Sequence, residues 1–159
     1  MQKRLLIISL LLLSVLIGIC QNRIVVVKKT FKLYVVSPTN DTLYTASVAI
    51  GKNYGNKKKK GDCKTPEGVF KIVQIQHSDK WTHDFHDGKG AVKGAYGPYF
   101  IRLKTPVTNS IGIHGTCYPE TIGTRSSQGC IRLTNDDIVT VVKYVKKGDM
   151  CEILSEPSG

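Results

Sequence analysis

Cys130 and His114 are the residues of this sequence whose types and setting best suit covalent chemistry. A thiol is a weak nucleophile until it ionises, and a neighbouring imidazole promotes that ionisation. Cys130 follows Gly129, and glycine lets the backbone approach a substrate closely. The consecutive N–H groups of Gly129 and Cys130 could aim at one oxygen and form an oxyanion hole. His114 ends the apolar run Ile111-Gly112-Ile113, a strand-like and rigid mount for a base. Sixteen positions separate the pair, enough for a strand end, a loop and a return to the same place. Taken alone, one cysteine and one histidine fit a structural role as well as a catalytic one.

Other residues compete for attention. His77, His83 and His86 lie close together with Asp79, Asp84 and Asp87 between them. Zinc accepts such ligands, but the spacing matches no structural zinc pattern, and a loop flanking a substrate is the better reading. His114, Cys117 and Cys130 could meet at a metal only by consuming the nucleophile. No metal and no cofactor is therefore expected. Trp81 and Tyr96 could stack on sugar or peptide, or fill the core of their own loop.

The surrounding elements are mostly strands. Arg23 to Val36 is rich in β-branched residues, Ser37 to Asp41 is a turn by composition, and Thr42 to Ile50 is a second strand region, together a hairpin. Gly51 to Gly61 is polar, basic and punctuated by glycine, the composition of a mobile loop. Thr65-Pro66-Glu67-Gly68 reads as a tight turn feeding a strand from Val69 to Gln76. His77 to Gly97 is a long loop with aromatics, a type that is usually functional. Tyr99 to Leu103 and Ser110 to Ile113 are further strands, and Met150 to Leu154 is the last. One helix is well marked. Thr134 and Asp137 have the spacing of a capping box, and Ile138, Val141, Val142 and Val145 make one apolar face.

The chain has 159 residues and a net charge of +11, with 41% hydrophobic and 22% charged residues. These values suit one globular domain. The positive excess is concentrated in Lys57-Lys58-Lys59-Lys60, which reads as a solvated basic run. It lacks interleaved aromatics or a nucleic-acid-binding motif, so nucleic acid is disfavoured as a partner. A basic start, Met1 to Arg4, precedes an apolar run from Leu5 to Ile19 and then Cys20. This is the pattern of an export signal. Residues 1–20 are read as a cleaved signal peptide, a lipoprotein signal lipidated at Cys20, or a retained membrane anchor, and 23–154 as the catalytic domain. All three place the domain outside the cytoplasm, in the cell envelope. Export permits disulfides. With Cys130 as nucleophile, Cys63, Cys117 and Cys151 allow at most one internal bridge, and unpaired cysteines buried as small apolar residues are the equal alternative.

The stretch His114-Gly115-Thr116, followed by Ser127-Gln128-Gly129-Cys130-Ile131-Arg132-Leu133, closely resembles the signature of L,D-transpeptidases with YkuD-type catalytic domains. Ala49-Ile50-Gly51, Thr65-Pro66-Glu67-Gly68-Val69-Phe70 and Tyr96-Gly97-Pro98-Tyr99-Phe100 resemble further parts of that domain in the same order. The resemblance implies a mainly β fold, a β-sandwich with one clear helix near the C-terminus and a long active-site loop. It implies that Cys130 attacks the bond between a diamino acid and D-alanine in a peptidoglycan stem tetrapeptide, forming a thioester that an amine of a second stem resolves. His114 would be the base, oriented by the carbonyl of Gly115. Arg132 would hold the motif loop or pair with a substrate carboxylate, and Ser127 would hydrogen-bond near the nucleophile. If water resolves the thioester, the same dyad makes a carboxypeptidase or endopeptidase. A non-catalytic wall-binding module is the remaining alternative.

Overall fold

The computed structural model describes residues 21–156 apart from His86, Asp87 and Lys89. The segment read as a signal or anchor, with Cys20, lies outside the described residues. Among the described residues no helix is long and apolar enough to cross a membrane.

Alternation of apolar and polar residues builds the principal sheet. Ile24 and Val26 in β1 (Arg23–Val27), Leu33 and Val35 in β2 (Lys32–Val36), and Cys151 and Ile153 in β12 (Met150–Leu154) all face one interior. Between them in sequence come β3 (Thr42–Ser47), β4 (Ile50–Gly51), β5 (Gly68–His77), β6 (Thr82–Asp84), β7 (Ala91–Lys93), β8 (Tyr99–Leu103), β9 (Gly112–His114), β10 (Arg125–Ser127), β11 (Ile131–Arg132) and one helix, α1 (Asn135–Val141). Eight strands form one sheet in the order β11-β9-β8-β5-β12-β1-β2-β3. The first half of β5 pairs with β12 and the second half with β8, with a register irregularity between Ile72 and Gln74. An irregularity of this kind bends a strand. The sheet curls over, and residues of both halves share a single apolar core. The fold is mainly β with one helix, as expected, and its two layers are the halves of this curled sheet, with the two-stranded sheets β4–β10 and β6–β7 beside it. The edges of the curled sheet meet, because Ala49, just after β3, exchanges both backbone hydrogen bonds with Arg132 of β11 at 2.9 Å.

Several boundaries differ from the sequence reading. Arg23 to Val36 is two antiparallel strands, not one, because the chain reverses at Lys28–Thr30 through Phe31 at φ 53°. The proposed tight turn at Thr65 to Gly68 is absent; Gly68, at φ 124°, begins β5 directly. The loop after Gly51 is pinned rather than solvated throughout, since the Asp62 carboxylate accepts from Lys57 Nζ and from the N–H groups of Lys58, Lys59 and Lys64. The long segment after His77 carries the β6–β7 hairpin. The helix ends at Val141, although Val145 remains buried on the turn that follows. Its cap matches expectation: Thr134 Oγ1 accepts from the Asp137 N–H at 3.1 Å. Cys63, Cys117, Cys130 and Cys151 are all free thiols, and Cys151 fills a core position, so the permitted bridge does not form.

Candidate active site

Parallel pairing of β9 and β11 explains how residues far apart in sequence meet. Ile113 lies opposite Ile131, and His114 opposite Arg132. One step back, Cys130 falls beside Gly112, whose N–H hydrogen-bonds to its sulfur. Side chains alternate between faces along a strand. Ile101, Ile113 and Ile131 therefore enter the core, while Cys130, His114 and Arg132 share the opposite face. These three line one cavity of about 450 Å³ with Tyr96, His83 and Phe85.

His114 is held on all sides. Its Nδ1 donates to the carbonyl of Gly115 at 2.5 Å, which leaves Nε2 as the acceptor. Phe100 of β8 stacks on the imidazole at 5.4 Å with a 9° interplanar angle, and Tyr96 meets it edge-on at 4.9 Å. Only 3% of the residue is exposed. Burial, together with the Arg132 charge, pushes the His114 pKa down to about 3 against the pull of the Gly115 carbonyl. Burial likewise raises the Cys130 thiol, whose Sγ donates to the Ser110 carbonyl at 3.5 Å. Burial thus favours the neutral forms of both the Cys130 thiol and the His114 imidazole.

The loop carrying Cys130 is tied by Ser127, whose hydroxyl accepts from the Gly129 N–H at 3.0 Å and donates to the Cys130 carbonyl at 2.5 Å. This occupies one of the two amides assigned to an oxyanion hole: in the resting geometry the Gly129 N–H is already satisfied. Gly129 itself sits at φ +130°, and a Cβ there would come within 2.7 Å of the Lys64 carbonyl. Thr65 backs the same loop, donating to the Gly129 carbonyl at 3.0 Å and accepting from the Gly51 N–H at 2.8 Å. The Thr-Pro-x-Gly segment thus supports the loop carrying Cys130 rather than making a turn.

Arg132 is 9% exposed and makes no ion pair among the described residues. Its guanidinium lies 5.7 Å from the ring centroid of Phe85, which extends from the β6–β7 hairpin. Trp81 packs inward on Tyr96 at 5.7 Å and Phe100 at 5.5 Å, so it is a loop-core aromatic, whereas Tyr96 reaches the cavity. Among the described residues no three histidine, cysteine or acidic side chains converge as a metal site. His77 stacks on Tyr99, and His83 hydrogen-bonds with the Tyr96 hydroxyl at 3.0 Å; His86 and Asp87 lie outside the described residues. Sequence reasoning missed Lys57, which is 5% exposed and lines the cavity. Its only sequence signal was an aspartate five positions on, inside a run that otherwise looks solvated.

A model of the YkuD L,D-transpeptidase catalytic domain matches residues 21–153. A Bacillus subtilis relative named L,D-transpeptidase YkuD is 29% identical over 117 residues, which cover 74% of this chain and 57% of the relative. A second, L,D-transpeptidase YqjB of the same organism, is 30% identical over 127 residues, covering 79% of this chain and 66% of the relative. Among solved structures, L,D-transpeptidase 3 from Mycobacterium tuberculosis with a faropenem-derived adduct superposes with a TM-score of 0.64 at 15% identity, over 84% of this chain and 60% of that one. The helical cell shape determining protein Pgp2 from Campylobacter jejuni gives 0.63 at 20% identity, over 87% of this chain and 48% of that one. At these identities the structural likeness is one of fold.

Proposed function

The chain belongs to the YkuD-type L,D-transpeptidase catalytic-domain family, and from that premise we propose that it is a peptidoglycan L,D-transpeptidase working through a thioester on Cys130. The observation that carries this reading is the convergence of Cys130, His114 and Arg132 on one cavity face, with the His114 tautomer set by the Gly115 carbonyl.

The chemistry follows from the neutral dyad. As the Cys130 sulfur bonds to the carbonyl carbon of the diamino acid, its proton passes to His114 Nε2. The Gly115 carbonyl stabilises the imidazolium that forms. The tetrahedral oxyanion is received by the Cys130 N–H, with the Gly129 N–H joining only if Ser127 releases it. The carbon–nitrogen bond to D-alanine then breaks, and His114 returns the proton to the departing amine. An amine on a second stem attacks the thioester, gives up a proton, and regenerates the thiol. Arg132, a buried cation without a carboxylate partner among the described residues, is positioned for an anionic group of the stem. Residues 1–20 export the domain to the envelope and tether it or are removed.

The chain spans 57% of the length of its YkuD relative, so the reaction is tested on this protein itself. Incubation with disaccharide-tetrapeptide muropeptides, followed by mass spectrometry, should give a cross-linked dimer lacking one D-alanine, absent with Cys130→Ala. Tripeptide without dimer would make the protein a hydrolase on the same dyad. No change with either protein would leave a wall-binding module.

A further inference from the structure

Lys57 opens a run of four lysines, yet it is 5% exposed while the three that follow are exposed. Its Nζ donates to Asp62 Oδ1 at 2.7 Å. Asp62 is already served by three backbone N–H groups, those of Lys58 at 2.8 Å, Lys59 at 3.0 Å and Lys64 at 3.1 Å. These bonds hold the carboxylate well below the usual range, so it stays charged and anchors the lysine. An ammonium has three donors. The bond to Asp62 is the one that Lys57 Nζ makes among the described residues.

The unused donors belong to a group at the nucleophile. Lys57 Nζ lies 3.4 Å from the point where a Gly129 side chain would begin, and Lys57 lines the cavity with Gln128 and Cys130. A nearly buried cation with incomplete hydrogen bonding is costly, and an arriving anion relieves that cost. Arg132 cannot substitute for it, since Arg132 comes from β11 against Phe85 of the hairpin, whereas Lys57 comes from the loop that backs Gly129. The site thus offers two separate cations around one thiol. The donor stem offers carboxylates flanking the scissile carbonyl: that of terminal D-alanine, and that of the diamino acid side chain where it is diaminopimelate.

We propose that Lys57 is the receptor for a donor-stem carboxylate beside the scissile amide, a specificity residue that Asp62 holds in place. This rests on the reading of the reaction given above. The test compares kcat/KM for tetrapeptide donors with each carboxylate free or amidated, on wild type, Lys57→Met and Lys57→Arg. Amidating the recognised carboxylate should cost wild type about tenfold, the effect of one charge-assisted hydrogen bond, and Lys57→Met less than about twofold. Lys57→Arg should restore discrimination, which a purely structural role would not. The donor whose amidation matters identifies the carboxylate. A substrate-free arm measures alkylation of Cys130 by iodoacetate relative to iodoacetamide. That ratio should fall several-fold in Lys57→Met and recover in Lys57→Arg. Unaltered sensitivity to both amidations in Lys57→Met, or an unaltered alkylation ratio, overturns the assignment. If wild type turns over no donor, the reaction reading fails, while the alkylation ratio still decides the role of Lys57.

Discussion

At the scale of single residues, the dyad differs from a preformed ion pair. Burial pushes the His114 pKa down to about 3 and raises the Cys130 thiol. Thiolate therefore accumulates only as the pH rises past the ordinary thiol range. Alkylation of Cys130 by iodoacetamide should climb through one alkaline ionisation, with no reactive plateau between pH 5 and 8. A plateau there would show an ion pair and contradict the geometry. The same shift affects stability. Between pH 3 and the ordinary imidazole value of 6.5, the unfolded chain binds a proton at His114 that the folded chain does not. Stability should fall as the pH drops below about 6.5, through this residue, with a slope approaching one proton. Denaturant titrations of His114→Gln across that range should show a flatter profile than wild type. That Cys130 and His114 lie at one cavity was legible in the sequence, because residue type and the glycine setting single them out. The neutrality of the pair was not, since it arises from burial by Phe100 and Tyr96, which lie elsewhere in the chain.

At the scale of elements, the register of β8, β9 and β11 sets the site. Phe100 pairs with His114, and Ile101 with Ile113. Gly112 makes this packing possible: a Cβ there would lie 2.2 Å from Phe100 Cε1 and 2.6 Å from the Ile101 carbonyl. Gly112→Ala should displace the Phe100 ring, destabilise the fold by about 1–3 kcal/mol as other overpacked sites do, and lower turnover by unseating His114. Thermal melts and steady-state rates check both. The helix contributes from its first turn, where Asn135 Oδ1 accepts from the Thr116 N–H at 3.0 Å and fixes the chain after His114. Removing the cap with Thr134→Ala should cost about 1 kcal/mol in denaturant unfolding. The capping box and the strands from Val69, Tyr99 and Met150 were legible because period and capping are local signals. The division of Arg23 to Val36 was not, because a non-glycine residue, Phe31, makes the left-handed turn. The support from Thr65 was not either, because its partners, Gly51 and Gly129, come from two distant segments.

At the scale of the whole molecule, the curled sheet brings its own edges together at Ala49 and Arg132, beside the site. A buried charge network ties Lys28, Glu67 and Arg125 to Glu156 in the C-terminal tail. Lys28, whose side chain is fully buried, pairs with Glu67 at 2.6 Å and Glu156 at 3.1 Å, and Glu156 also engages Arg125 and the Gly55 N–H. Glu156→Ala leaves Arg125 and Lys28 each short of a carboxylate. It should destabilise the protein by about 3 kcal/mol, the lower end for broken buried pairs, as read by denaturant unfolding. Nothing in the sequence marked Lys28 as interior, since its partners lie on a loop and a tail with no periodic pattern. Strand content was legible, but the sheet closes at the end formed by β9 and β11, strands of three and two residues, too short to show a period.

The central claim is a thioester on Cys130. The most direct measurement is intact-protein and peptide mass spectrometry after rapid acid quench of the protein with a stem tetrapeptide. An adduct of the donor minus D-alanine is expected on the peptide containing Cys130, labile to hydroxylamine and absent from Cys130→Ala. Product formation with no such adduct on any time scale of quenching, or with the adduct on another residue, would contradict it.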